Sequence, residues 1–152
     1  MRLFIAGIAA ALVCAPAAAA DPVAPEAGSS CGELSGAMTQ ISDGSFLDCP
    51  DGTWTQYTDP YPSSDRWFSY GPAVKLHGQG LRNPQILSGA WLATPQDADS
   101  VCSASQAAVV SAGEVGPAQK SVGEPGQILA FDVLPVVFSI ELSGDCLWQR
   151  TG

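Results

Sequence analysis

The side chains best suited to chemistry in this 152-residue chain are one histidine, His77, a large set of serines, scattered carboxylates and five cysteines. Nucleophilic catalysis needs a Ser or Cys within reach of a base, and a third group to orient that base. His77 is the sole imidazole that could serve. Asp48, Asp51, Asp59 and Asp65 crowd a stretch rich in Trp and Tyr, and a carboxylate pair there would suit glycoside hydrolysis. Asp51-Gly52 and Asp59-Pro60 are nevertheless turn chemistry first. Asp97-Ala98-Asp99-Ser100 offers oxygens to calcium but lacks the ligand count and glycine of a calcium loop, which leaves a turn or capping role. One histidine and no Cys-x-x-Cys spacing argue against zinc. No catalytic residue is assigned, and no metal or cofactor is implied.

Aromatic side chains carry the stronger functional signal. Trp54, Tyr57, Tyr61, Trp67, Phe68 and Tyr70 fall within one short segment. Together they would make a flat stacking surface for a glycan or an apolar pocket for a lipid. Alternatively they form the core of a first half otherwise short of large apolar residues. Burial decides between the two.

The elements that must position these residues read as strands. Gln127–Arg150 is the most clearly patterned stretch. Leu129, Phe131 and Val133 alternate with Ala130 and Asp132, the period of a strand with one buried face. After Pro135, Phe138, Ile140 and Leu142 share one face. Ser143-Gly144-Asp145 has turn composition and leads into Cys146 and Trp148 on a common face, so the stretch is expected to be a hairpin. Ser45–Cys49, Thr53–Thr58, Trp67–Tyr70, Ala73–Leu76 and Ile86–Thr94 are further strand candidates, with Gly89 marking a bend. Glu33–Ile41 reads as helix or strand. Val101–Ala112 leans to strand, and Gly113–Gly126 is a loop with one short strand near Gln119–Ser121. No repeat and no long helix is present. The expected fold is mainly β, a small antiparallel sandwich or partly open barrel stapled by two disulfides.

Residues 1–20 have a basic start at Arg2, an apolar run from Leu3 to Val13 and Ala18-Ala19-Ala20, the layout of a secretory signal cleaved after Ala20. The run is short for ~30 Å of hydrocarbon, and Cys14 is discarded with it. Residues 21–30 are rich in Pro, Ala, Gly and Ser and are expected to be a disordered leader. Residues 31–152 then form a single secreted domain. The chain has 6 basic and 15 acidic residues; without Arg2 the net charge falls from −9 to −10. Such a chain is repelled by nucleic acid and anionic lipid, and no mature segment suits a membrane span.

The four remaining cysteines, Cys31, Cys49, Cys102 and Cys146, are an even number in an exported chain, which argues for two disulfides. Of three possible pairings, Cys31–Cys49 and Cys102–Cys146 each stay within one half of the chain. They would contribute roughly 3 and 4 kcal/mol on a loop-entropy basis.

Ser88-Gly89-Ala90-Trp91, then Cys102, then Phe138 and the Gly144-Asp145-Cys146-Leu147-Trp148 ending resemble small secreted modules of mycobacteria and related actinobacteria. Arg66-Trp67-Phe68-Ser69-Tyr70-Gly71-Pro72, continued by Lys75-Leu76-His77-Gly78, is similar to a signature of uncharacterised exported proteins from the same group. The resemblance implies export and supports pairing Cys102 with Cys146; it transfers no catalytic residue. The expectation is an exported, non-enzymatic protein that binds a ligand or envelope component. The rival is a small hydrolase of envelope glycan or lipid using His77 or an aspartate pair.

Overall fold

The computed structural model describes residues 14–16 and 21–152. The proposed signal and its cleavage site therefore lie, apart from residues 14–16, outside the described residues. Ten strands form one sheet, and no α-helix occurs among the described residues. In chain order the strands are β1 (Met38–Gln40), β2 (Phe46–Asp48), β3 (Thr55–Gln56), β4 (Arg66–Leu76), β5 (Gly89–Pro95), β6 (Ser103–Ser111), β7 (Glu114–Val115), β8 (Gln119–Val122), β9 (Leu129–Val133) and β10 (Val137–Arg150). The ambiguous Glu33–Ile41 segment supplies both forms, a 3-10 turn at Gly32–Leu34 and then β1.

β10 is the spine. One edge pairs antiparallel with β4 along most of its length. The other edge pairs first with β6, from Val137 to Ser143, and then with β5, from Cys146 to Arg150. The exchange of neighbours falls at Gly144. That residue has φ +98°, and a Cβ there would overlap the carbonyl oxygen of Val101. Opposite it, Pro72 and Ala73 of β4 face the single residue Ser143, a bulge that accommodates a proline unable to donate to the ladder. Ser143-Gly144-Asp145 thus lies opposite the β4 bulge, in the middle of a fourteen-residue strand, and is not a turn. The expected hairpin is absent as well: β9 pairs with β5, which separates it from β10. A second irregularity, between Val137 and Ser139, inserts Phe138 as an extra residue. Val137 consequently turns inward and Phe138 outward, against the simple alternation.

The sheet does not close into a barrel. Where β6 and β9 approach, the buried side chain of Gln106 spans them, its Nε2 donating to Asp132 O at 2.8 Å and its Oε1 accepting from Leu134 N at 3.0 Å. A side-chain amide thereby satisfies main-chain groups on an edge strand that would otherwise lack partners.

Two cores lie on opposite faces of β4. The larger holds Trp67, Trp91, Trp148, Phe131, Ile140, Leu142 and the Cys102–Cys146 disulfide. The smaller holds Trp54, Phe68, Tyr70, Leu47 and the Cys31–Cys49 disulfide. Both bridges match the pairing expected from the sequence. Residues Trp67 to Tyr70 are all buried because both faces of β4 are covered there. Each fully buried indole N–H finds an acceptor: Trp67 bonds Ser64 O, Trp91 bonds Leu87 O, and Trp148 bonds Ser69 Oγ at 2.8 Å. The ordered chain also reaches back beyond Cys31. Gly28 N donates to Trp54 O, and Trp54 N to Ser29 O, so the last residues of the expected leader are held against the smaller core.

Trp148 shows no exposed surface and meets Phe131 edge to face at 5.7 Å. Trp148→Ala should cost roughly 3–5 kcal/mol, whereas the exposed neighbour Gln149→Ala should change stability by under ~0.5 kcal/mol. Denaturant melts of the two variants check both; near-equal midpoints would contradict this packing.

Candidate functional site

The structure separates the six aromatic residues. Trp54, Phe68 and Tyr70 pack together in the smaller core, with Trp54 and Phe68 stacked at 6.1 Å and Phe68 and Tyr70 tilted to each other at 6.4 Å. Trp67 points through the sheet into the larger core, and Tyr57 packs partly buried against it. Tyr61 alone is exposed. A glycan-stacking platform needs several ring faces open on one side, and these rings instead fill two cores. Sequence spacing could not separate them, because β4 alternates its side chains between two covered faces.

His77 is also structural. Its Nε2 lies 2.9 Å from Asn83 O and 3.2 Å from Arg82 O, so it carries the proton and donates to the loop carbonyls. Its backbone carbonyl accepts from Gln85 N, and its backbone N–H donates to Gln85 Oε1. These bonds fold the 78–86 loop. Gly28-Ser29-Ser30-Cys31-Gly32 carries the letters of a nucleophile elbow, which the reading of the sequence missed. Ser30 Oγ there accepts from Gly32 N, and the motif runs into a disulfide cysteine and a single 3-10 turn. An elbow requires a strand-to-helix corner with a base beside it.

Asp59 and Asp97 take the turn roles that their neighbours indicate, and the remaining carboxylates are scattered. Asp59 Oδ1 accepts from Tyr61 N at 2.8 Å, and Asp65 pairs with Arg150 at 3.9 Å. Asp51 sits in a turn and Asp48 within β2. Asp97 Oδ1 accepts from Asp99 N and Ser100 N at 2.9 and 2.7 Å. Among the described residues no group of three or more His, Cys, Asp or Glu is arranged to hold a metal ion.

Two surface features were not legible in the sequence. The first is a groove of about 330 Å³ lined by Leu81, Val109, Val115 and Phe138, with Glu114 on its wall. Leu81, Val115 and Phe138 are exposed, and Val136 lies beside them, its carbonyl accepting from Val109 N. The β6–β7 turn at Gly113, with φ +75°, presents Val115 to this groove, and the bulge at Phe138 presents the ring. Val109, Gly113 and Val115 were the available signal, a valine-flanked turn where the Val101–Ala112 strand candidate meets the segment read as loop. The second feature is a cleft of about 380 Å³ between the β1–β2 turn and the middle of β4.

Two disulfides and a mainly β sheet define a stapled β domain that suits an oxidising, extracytoplasmic compartment. No helix among the described residues is long and apolar enough to cross a membrane. Compared with family models, with curated proteins and with solved structures, the chain finds no match.

Asp97 and Asp145 act on each other. Hydrogen bonds from Ser100 and from the N–H of Asp99 lower the pKa of Asp97, so it stays ionised. Burial, and then the charge of Asp97, raises the pKa of Asp145. A raised carboxylate pKa means that the folded state holds the proton more tightly than the unfolded chain. Its contribution is therefore favourable at low pH and is lost as pH rises through the folded value. Asp145→Asn should stabilise the protein at pH 7 by less than ~1 kcal/mol, since Asp145 is largely solvent-screened. The gain should shrink as pH falls toward 3.8, the ordinary value. Thermal melts across that range check it; a gain that grows on acidification would contradict the assignment.

Proposed function

We propose that this is an exported, non-enzymatic domain that acts by binding a ligand or partner at the cell envelope or outside the cell. The groove of Leu81, Val109, Val115 and Phe138 is the surface it uses. The observation that carries this reading is exposed apolar surface gathered around one concavity on a strongly acidic protein. Contiguous apolar surface of this kind has a solvation cost that a bound partner relieves. The signal-like leader, the two disulfides and the resemblance to small secreted actinobacterial modules support export. The bonding of His77 to loop carbonyls supports a binding role over the hydrolase alternative, because it assigns the only imidazole to scaffolding.

The test is retention of the purified, disulfide-intact protein on isolated envelopes of the producing cell. Leu81→Ser combined with Val115→Ser should lower retention roughly tenfold or more, the order expected from losing two buried aliphatic contacts. Its melting temperature should stay near the parent value, because both side chains are already exposed. Retention equal to that of the parent would overturn the assignment of the groove.

A further inference from the structure

β1 and β4 share a single registered main-chain pair, Met38 with Trp67, and then diverge. Side chains stitch them together beyond that point. Thr39 Oγ1 donates to Phe68 O at 2.8 Å, and Gln40 Oε1 accepts from Lys75 N at 3.0 Å. The gap left by the divergence is the cleft of about 380 Å³, lined by Gln40, Ile41, Ser42, Tyr70, Pro72 and Lys75 among others. None of its lining residues is acidic, although the chain as a whole carries 15 carboxylates against 6 basic groups.

Tyr70 is the informative residue. It is 6% exposed, its ring packs on Phe68, and its hydroxyl makes no hydrogen bond within the described residues. That oxygen is not sealed inside the protein either, since among the described residues the single buried side-chain polar atom without a partner is Arg66 Nε. Tyr70 lines the cleft, and the hydroxyl is the one polar atom of its side chain. A polar group on a buried ring, held without an internal partner, is placed to meet something from outside. Gln40 has its carbonyl oxygen engaged by Lys75 N, which leaves its amide NH₂ as donor. Ser42 adds a hydroxyl. Lys75 adds an ammonium, held loosely by Glu141 at 3.5 Å with both groups more than half exposed. The nearby carboxylates are Glu141, which pairs with Lys75, and Asp43, which accepts from Ser45. Neither lines the cleft, and the donors that do favour an acceptor-rich, negatively charged group. Ile41, Pro72 and Ala73 offer apolar surface beside them. Added-strand binding is disfavoured here, because Pro72, the bulge and Lys75 are devices that keep a strand edge from pairing.

We infer that this cleft binds a small organic carboxylate, its acid group received by Tyr70, Gln40 and Lys75 and its apolar part lying along Ile41, Pro72 and Ala73. The site is separate from the Leu81–Phe138 groove, so either assignment can fail without the other.

Sodium hexanoate and uncharged hexanamide, titrated into the ¹⁵N-labelled protein, test the inference. Hexanoate should give saturable amide shifts confined to Gln40–Gly44 and Tyr70–Lys75. Hexanamide should bind roughly tenfold more weakly, the order expected for losing a hydrogen bond to a charged group. Tyr70→Phe and Lys75→Gln should each weaken hexanoate binding several-fold with the melting temperature unchanged. No saturable shifts, equal affinity for the amide, or full affinity in Tyr70→Phe would each overturn it. If Tyr70→Phe alters the melting temperature, Lys75→Gln alone decides, because its exposed side chain carries no packing.

Discussion

A strand has two edges, and each of its main-chain groups bonds one neighbour. Seven of the other nine strands depend, directly or through one intermediary, on how β10 divides those groups, and β2 and β3 depend on it through β1 and β4. One edge of β10 belongs to β4 and carries β1 and the strands beyond it. The other edge is shared in sequence by β6 and β5. Such sharing is possible only where the strand changes direction without breaking its ladder, and a glycine at φ +98° facing the Val101 carbonyl provides that place. The Cys102–Cys146 bridge lies beside the same point, with Cys146 two residues beyond Gly144.

Ser69 secures this junction from within. It is fully buried, donates its hydroxyl hydrogen to Gly144 O, and accepts the indole N–H of Trp148. A buried hydroxyl with both capacities used is stabilising, whereas either bond alone would leave an expensive orphan. The same three residues therefore fix the bulge, orient the largest core side chain and connect β4 to β10. Thr39 and Gln106 do related work at the margins, each replacing a main-chain partner where strands part. Polar side chains inside this sheet lie where its regular bonding fails.

Much of this architecture was legible from residue types. Alternation located β9 and both halves of β10, and strand composition between turn signals located β2 and β5. The helix-or-strand segment holding β6 leaned to strand, and staying within each half of the chain selected the right cysteine partners. Alternation describes one strand at a time, however, and says nothing about which strand lies beside it. That is why β9 and β10 read as a hairpin although β5 separates them. Ser143-Gly144-Asp145 has the composition of a turn because positive φ serves reversals and bulges equally; only the partner strand distinguishes them. Phe138 was assigned inward because an inserted residue shifts the parity of everything before it. The aromatic cluster posed the hardest case, since a side chain on a strand covered on both faces is buried whichever way it points. The groove and the cleft arise where loops and strand ends meet, and that proximity leaves little trace in local sequence.

The position of β10 in the chain has a consequence for the order of events in folding. It is the last strand among the described residues, yet it is the common neighbour of β4, β5 and β6. Until it emerges from the ribosome, β4 lacks its principal partner, and β5 and β6 have no strand to join them. Pairings so distant in sequence form slowly and late. A chain built this way becomes compact only once β10 is free to pair, so the topology itself delays folding until nearly all of the described residues are available.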